Sequence, residues 1–231
     1  MRRFYKEVDV AAVKGGWQVT LDGRPLKTVG GAPQIVPSEA LARALAGEWD
    51  AQGDKIDPQT LPLRDMADYA IDIVTPDPGA VTAKITAYGD TDTLLYRADP
   101  DEPLYPRQQE LWEPIVAGFE AQHGVTFVRV SGIIHRPQSA ATMATLAALV
   151  AAQDPFAIAA LEAMASLAAS LLVGLSALDP AADGEGLWQA ASLEEEWQAE
   201  QWGREEEAEE RRAKRAADFL TYRQFALLAR P

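Results

Sequence analysis

The chain has 231 residues, is 48% apolar and contains no cysteine, which suits one large or two small packed domains and excludes a disulfide framework, a thiol nucleophile and a thiolate zinc site. Its formal charge is −14, from 35 acidic against 21 basic side chains, a balance that repels phosphate and argues against a nucleic-acid partner. The opening run Met-Arg-Arg-Phe-Tyr-Lys carries neither a hydrophobic signal core nor an Arg/Ser-rich transit stretch, so the expected localisation is cytoplasmic, or that of an already processed protein.

The first 36 residues read as strands. Residues 4–10 partly alternate, and residues 17–21 alternate strictly, with Trp17, Val19 and Leu21 on one face. Lys14-Gly15-Gly16 and Asp22-Gly23 are turn signals, and residues 26–29 and 34–36 read as two further short strands. A helix follows, with Ser38 as N-cap, Leu41, Leu45 and Trp49 on its inner side and Gly53 as its stop. Asp57-Pro58 marks a linker. The expected fold class is therefore α+β: a small β-rich domain with one packed helix over 1–57, then a larger all-α domain over 58–231.

Beyond the linker the periodicity predicts helices over 63–74, 80–88, 106–123, 140–152, 156–178, 187–202 and 205–228, with extended pieces at 94–97 and 125–131. The last helix offers Glu207–Arg211 and Glu210–Lys214 as surface pairs, and Phe219, Tyr222, Phe225 and Leu228 as its apolar side. The 156–178 stretch is apolar apart from Glu162 and long enough to span a bilayer. It is rich in Ala, no cation flanks it, and Asp154 and Asp179 bracket it. It is expected to be a buried core helix, with no membrane insertion.

Between Pro137 and Gly203 there are nine acids and no Lys or Arg. Such a run suits a basic or exposed-apolar protein surface, or a solvated face kept for solubility. Within it, residues 187–202 wound as one helix place Leu187, Ala190, Ala191, Trp197 and Trp202 on one broad face. Glu194 falls near the middle of that face, flanked by Gln198 and Gln201, while Glu195, Glu196 and Glu200 turn away. A carboxylate sealed dry and unpaired costs several kcal/mol. Glu194 must therefore find a buried partner, sit in a cleft or meet another protein.

Neither phosphate-cradling fingerprint occurs. The two histidines, His123 and His135, lack metal-ligand spacing, and no nucleophile elbow supports a Ser–His–Asp triad. Asp90 and Asp92, with Asp65, Asp68 and Asp72 upstream, form the best metal candidate. That set opens the alternative of an acidic metal-dependent hydrolase. Arg64, Lys84 and Arg97 are also placed to neutralise these acids as structural pairs, the preferred reading. No catalytic residue, metal or cofactor is expected.

Several segments together match a known family. They are Arg3-Phe-Tyr-Lys6, Gly16, Leu21-Asp-Gly-Arg-Pro-Leu-Lys-Thr28, Glu48-Trp-Asp-Ala-Gln52, Asp90-Thr-Asp-Thr-Leu-Leu-Tyr-Arg97, Gln108…Trp112-Glu-Pro114, and Leu193-Glu-Glu-Glu-Trp-Gln198 through Trp202-Gly203. In order and spacing they resemble the ATP synthase assembly chaperones that handle the α subunit of the F1-ATPase, and the resemblance covers nearly the whole chain. It implies a non-enzymatic, ATP-independent chaperone that binds the unassembled α subunit, in the mitochondrial matrix in eukaryotes. It also implies an activity-linked acid at Glu194 and an important tryptophan at Trp49. Gln198, Gln201, Trp197 and Trp202 are the expected partner contacts around Glu194, and the protein is expected to be monomeric.

Overall fold

The computed structural model describes residues 1–132 and 134–230. The architecture is α+β, with a small sheet near the N-terminus and a mostly helical remainder. Its residues form two compact units. The first comprises Met1–Pro78, Asp154–Ala160 and Gln224–Pro231; the second comprises Gly79–Gln153 and Leu161–Arg223.

In the first unit, strands β1 (Val8–Val13), β2 (Gly16–Leu21), β3 (Arg24–Pro25) and β4 (Ile35–Val36) form an antiparallel sheet in which β2 pairs with each of the others. The register runs from Val8 opposite Leu21 to Val13 opposite Gly16. Asp22 and Gly23 have φ of 49° and 73°, the positive pair that a two-residue hairpin between right-twisted strands needs. Gly16 is obligatory for another reason: a Cβ there would stand 2.2 Å from the Val36 carbonyl oxygen.

Two strands differ from the sequence reading. The first begins at Val8 rather than residue 4, because the Asp22 carboxylate accepts the Lys6 and Glu7 N–H groups, each at 2.9 Å, ahead of the ladder. Residues 26–29 are a loop with a single bridge from Lys27 to Pro33. Val29 N–H donates to Asp68, and Thr28 Oγ1 and Gly30 N–H donate to Asp72, so side-chain carboxylates take the place of a neighbouring strand.

Helix α1 (Glu39–Asp50) packs on β1 and β2 and is capped as expected, with Ser38 Oγ accepting from Leu41 N–H at 3.0 Å. It ends at Ala51, two residues before Gly53, in ordinary right-handed geometry. Glu48, one turn from its end, accepts from Leu63 and Arg64 N–H at 2.7 and 2.9 Å and so caps helix α2 (Pro62–Tyr69). The predicted helix over 63–74 finishes as a π-turn at Ala70–Val74.

The second unit holds helices α3 (Pro78–Ala87), α4 (Tyr105–His123) and α5 (Ala140–Ala151). It also holds most of α6 (Pro155–Ala168) and α10 (Glu206–Leu228), and all of α7 (Leu171–Ala177), α8 (Gly184–Ala191) and α9 (Leu193–Trp202). Strands β5 (Tyr96–Arg97) and β6 (Val130–Ser131) pair in parallel. α4 stops at Gly124, whose φ of 65° provides a left-handed cap just after His123.

The long apolar stretch 156–178 is two helices, not one. Ala169 takes φ of 47°, and Ser170 caps α7 by accepting from Val173 N–H. Leu161, Met164, Leu171, Leu172 and Val173 are fully buried, and Glu162 pairs with Lys84 at 2.6 Å. Among the described residues no helix is long and apolar enough to cross a membrane. Within α10, Glu207 pairs with Arg211 as anticipated, but Lys214 turns to Asp218 rather than Glu210.

Candidate partner-binding site

The helix expected over 187–202 breaks at Ser192. There φ is −95° and ψ is 7°, and the hydroxyl donates to the Trp188 carbonyl at 2.9 Å, competing with the ladder. The single broad face therefore does not exist. Leu187, Trp188 and Ala190 are buried from α8, but only Leu193 and Ala199 are buried from α9. Trp202 is 81% exposed and Gln201 is exposed beside it.

Glu194 sits half-buried in the first turn of α9. Its Oε1 accepts from Gln108 Nε2 at 2.9 Å, and among the described residues no cation pairs with it. Burial raises its pKa above the usual glutamate value, and the Gln108 hydrogen bond pulls back against that shift. Gln108 is fully buried on α4 and is itself fixed, since its Oε1 accepts from Ala98 N–H at 2.8 Å. Four residues on, the Trp112 indole donates to the Ala190 carbonyl at 2.7 Å and ties α4 to the end of α8. Segments far apart in sequence, 96–98, 108–112 and 190–198, thus hold one carboxylate in place.

Glu194, Trp197 and Gln198 line one cleft of about 570 Å³, together with Tyr96, Arg97 and Glu102. Gln198 and Trp202 also line a second cleft of about 450 Å³. Gln201 lines neither. Trp197 is half-exposed, with the Arg107 guanidinium 4.8 Å from its ring centroid, and Arg107 also pairs with Glu200 at 2.7 Å. Gln108, Arg107 and Tyr96 were given no role from sequence alone. Gln108 and Tyr96 lie inside the segments that carried the family resemblance, which was the available signal.

Trp49 belongs to the other unit. Its carbonyl accepts from Tyr5 Oη at 2.6 Å, and the two rings meet edge-on at 5.8 Å. The Arg64 guanidinium lies 5.9 Å from the Trp49 ring centroid.

The aspartates considered as a metal set are each engaged elsewhere. Asp92 is fully buried and accepts from Leu94 N–H at 3.1 Å and Leu172 N–H at 2.9 Å. Asp90 accepts from Gln138 N–H at 2.8 Å and faces His135 at 3.3 Å. Asp68 and Asp72 hold the 28–34 loop, and Asp65 faces Arg64 at 3.2 Å. Of the cations foreseen as their partners, only Arg64 serves, because Lys84 goes to Glu162 and Arg97 to Glu113. Among the described residues no group of three or more His, Asp or Glu is placed to hold a metal.

The solved structure of Atp12 from Paracoccus denitrificans superposes with a TM-score of 0.94 at 40% identity, covering 99% of this chain and 98% of that one. An aspartate-to-lysine mutant of P. denitrificans Atp12p superposes with a TM-score of 0.93 and the same coverage. The mitochondrial protein atp12 of Schizosaccharomyces pombe is 28% identical over 221 residues, 90% of this chain and 76% of that protein. Residues 2–120 match the family described as ATP12 chaperone protein. The chain belongs to the ATP12 chaperone family.

Proposed function

We propose that this protein holds the unassembled α subunit of the ATP synthase F1 sector, without using ATP, until assembly covers the apolar surface that α exposes. The family's work in ATP synthase assembly supports the setting, and free subunits with uncovered apolar patches aggregate. The observation that carries the reading is Glu194, a half-buried carboxylate at a cleft, fixed by a neutral amide and paired with no cation among the described residues. A carboxylate kept this way is disposed to take a charge-assisted hydrogen bond from a client. Trp197 and Gln198 frame it, and the exposed Trp202 adds apolar contact area. We place the protein in the cytoplasm, as the counterpart of its mitochondrial relative, and take it to work as a monomer.

The test is co-purification with the α subunit and suppression of α aggregation, for the wild type and Glu194→Lys. The variant is expected to keep its circular dichroism and melting temperature while losing α capture. Undiminished capture by the folded variant would remove Glu194 from the mechanism.

A further inference from the structure

Strand β1 borders the sheet, and its outer side is unpaired among the described residues. Neighbouring bonds fix which of its groups face outward. Asp22 N–H donates to the Glu7 carbonyl at 3.0 Å, whereas the Val19 carbonyl turns away from β1 to accept from Leu26 N–H at 2.9 Å. Bonded and unbonded pairs alternate along an antiparallel ladder. Val8, Val10 and Ala12, which stand opposite Leu21, Val19 and Trp17, therefore direct their N–H and C=O groups to the open side. Sheet edges are commonly blunted by proline, a bulge or a covering segment. β1 has no proline, and its register with β2 runs residue for residue without a bulge. Asp9 is its one charge, and Asp9, Ala12 and Val13 are exposed. Lysines bracket the strand instead: Lys6 and Lys14 are exposed and form no ion pair among the described residues. Residues 1–36 carry six bases against three acids, in a chain whose net charge is −14.

We propose that this edge takes up an extended segment of a client polypeptide as an added antiparallel strand, one with apolar side chains at alternate positions and an acid near each end. The main-chain groups of Val8, Val10 and Ala12 bond to the segment. Its apolar side chains continue the row of Val8 and Val10, and its terminal acids meet Lys14 and Lys6, which stand roughly 27 Å apart at the rise of a strand. A second copy of the chain fits worse. The register centred on Val10, which engages all three outward residues of both copies, sets each Lys6 against the partner's Lys14 at both ends, and like charges across a ladder repel. This surface lies in the sheet-bearing unit and stands apart from the reading of Glu194.

The probe is the peptide acetyl-Glu-Thr-Val-Thr-Val-Thr-Val-Thr-Glu-amide, titrated into the full chain and followed by ¹⁵N-resolved NMR with amide exchange. In the free protein the amides of Val8, Val10 and Ala12 should exchange fast and those of Asp9 and Ala11 slowly. The peptide should saturate, shift the amides of residues 8–12 and slow exchange at Val8, Val10 and Ala12. N-methylation of the central valine, whose N–H faces β1, should weaken binding at least about tenfold. The same methyl on the threonine that follows, whose N–H faces solvent, should leave the affinity within about twofold. Replacing both glutamates by lysine should weaken binding about tenfold, a gap that shrinks in added salt. Val10→Pro removes only an outward donor from β1 and should abolish binding. If that variant fails to fold, the two N-methylated peptides decide the question on the wild type. The proposal is overturned if the peptide does not bind, if the two N-methylated peptides bind alike, if the lysine peptide binds as well as the glutamate one, or if the shifts map outside β1. A concentration-dependent dimer in sedimentation that Val10→Pro dissolves would give the edge to a second copy and overturn it too.

Discussion

Asp92 and Trp49 show how much a single side chain decides. Burial pushes the Asp92 pKa from 3.8 up to about 6, even though the Leu172 and Leu94 N–H groups and Ser170 stabilise the anion. The folded form therefore holds its proton more tightly than the unfolded chain. Asp92 contributes its full stability below about pH 4 and loses it as pH rises through about 6, a difference on the order of 3 kcal/mol. Glu113 and Glu120 work the opposite way: burial raises them, but their bonds to Arg129 and neighbours outweigh it, so their stabilisation fades as pH falls below about 4.5. Urea unfolding of the wild type and Asp92→Asn between pH 4 and pH 7 should show the wild type losing ground to the variant as pH rises. A pH-independent gap would contradict this. Trp49 is 8% exposed, and its indole N–H meets no acceptor among the described residues. Trp49→Ala should cost about 3–5 kcal/mol by chemical denaturation, while Trp49→Phe, which forfeits volume but no hydrogen bond, should cost clearly less. The sequence placed Trp49 correctly on the inner side of its helix, because Leu41, Leu45 and Trp49 keep helical spacing. It read Asp92 as a structural partner of Arg64, Lys84 or Arg97, with a metal set as the alternative, because spacing along the chain cannot reveal that Leu172, eighty residues on, brings its N–H to that carboxylate.

At the scale of elements, most helices were legible and their interruptions were not. Apolar periodicity located α4, α5 and α10 to within a residue or so. The breaks at Ala169 and Ser192 left no trace, since alanine is the strongest helix former and gives no hint of a left-handed turn. Losing the Ser192 break led to a mistaken amphipathic face that put Trp202 on one side with Leu187, Ala190 and Trp197. α9 is held largely by polar contacts. Only two of its residues are buried, while Glu195 pairs with Arg215 at 2.5 Å, Glu196 with Arg204, and Glu200 with Arg107 at 2.7 Å. Exposed ion pairs are worth little and are screened by salt. Amide hydrogen exchange in α9 should run faster than in α4, and on the order of 0.5 M salt should accelerate α9 far more than α4. Equal protection in the two helices would show that α9 is anchored by packing.

For the molecule as a whole, the acid-rich run 137–203 is less bare than its composition suggested. Its charges draw cations from outside the run, with Lys84, Arg107, Arg204 and Arg215 each reaching into it. The α+β class and the place of the sheet were readable from the switch in hydrophobic period near residue 57. What no local pattern disclosed is that the sheet-bearing unit is discontinuous. It includes Asp154–Ala160 and the residues from Gln224 on, with Ser38 Oγ donating to the Leu228 carbonyl and Phe156 stacking on Phe225 at 6.1 Å. Truncation after Arg223 should therefore strip hydrogen-exchange protection from α1 and β2, more than two hundred residues upstream of the cut for β2. Full protection there would mean that the sheet stands alone.

That stitching sets a timetable for biosynthesis. A nascent chain can form the β1–β2 hairpin as soon as it clears the ribosome, but groups that finish this unit are translated more than two hundred residues after β2. Until then Ser38 lacks the Leu228 carbonyl and Phe156 lacks the Phe225 ring. A member of a family of assembly chaperones thus passes through an incomplete stage of its own.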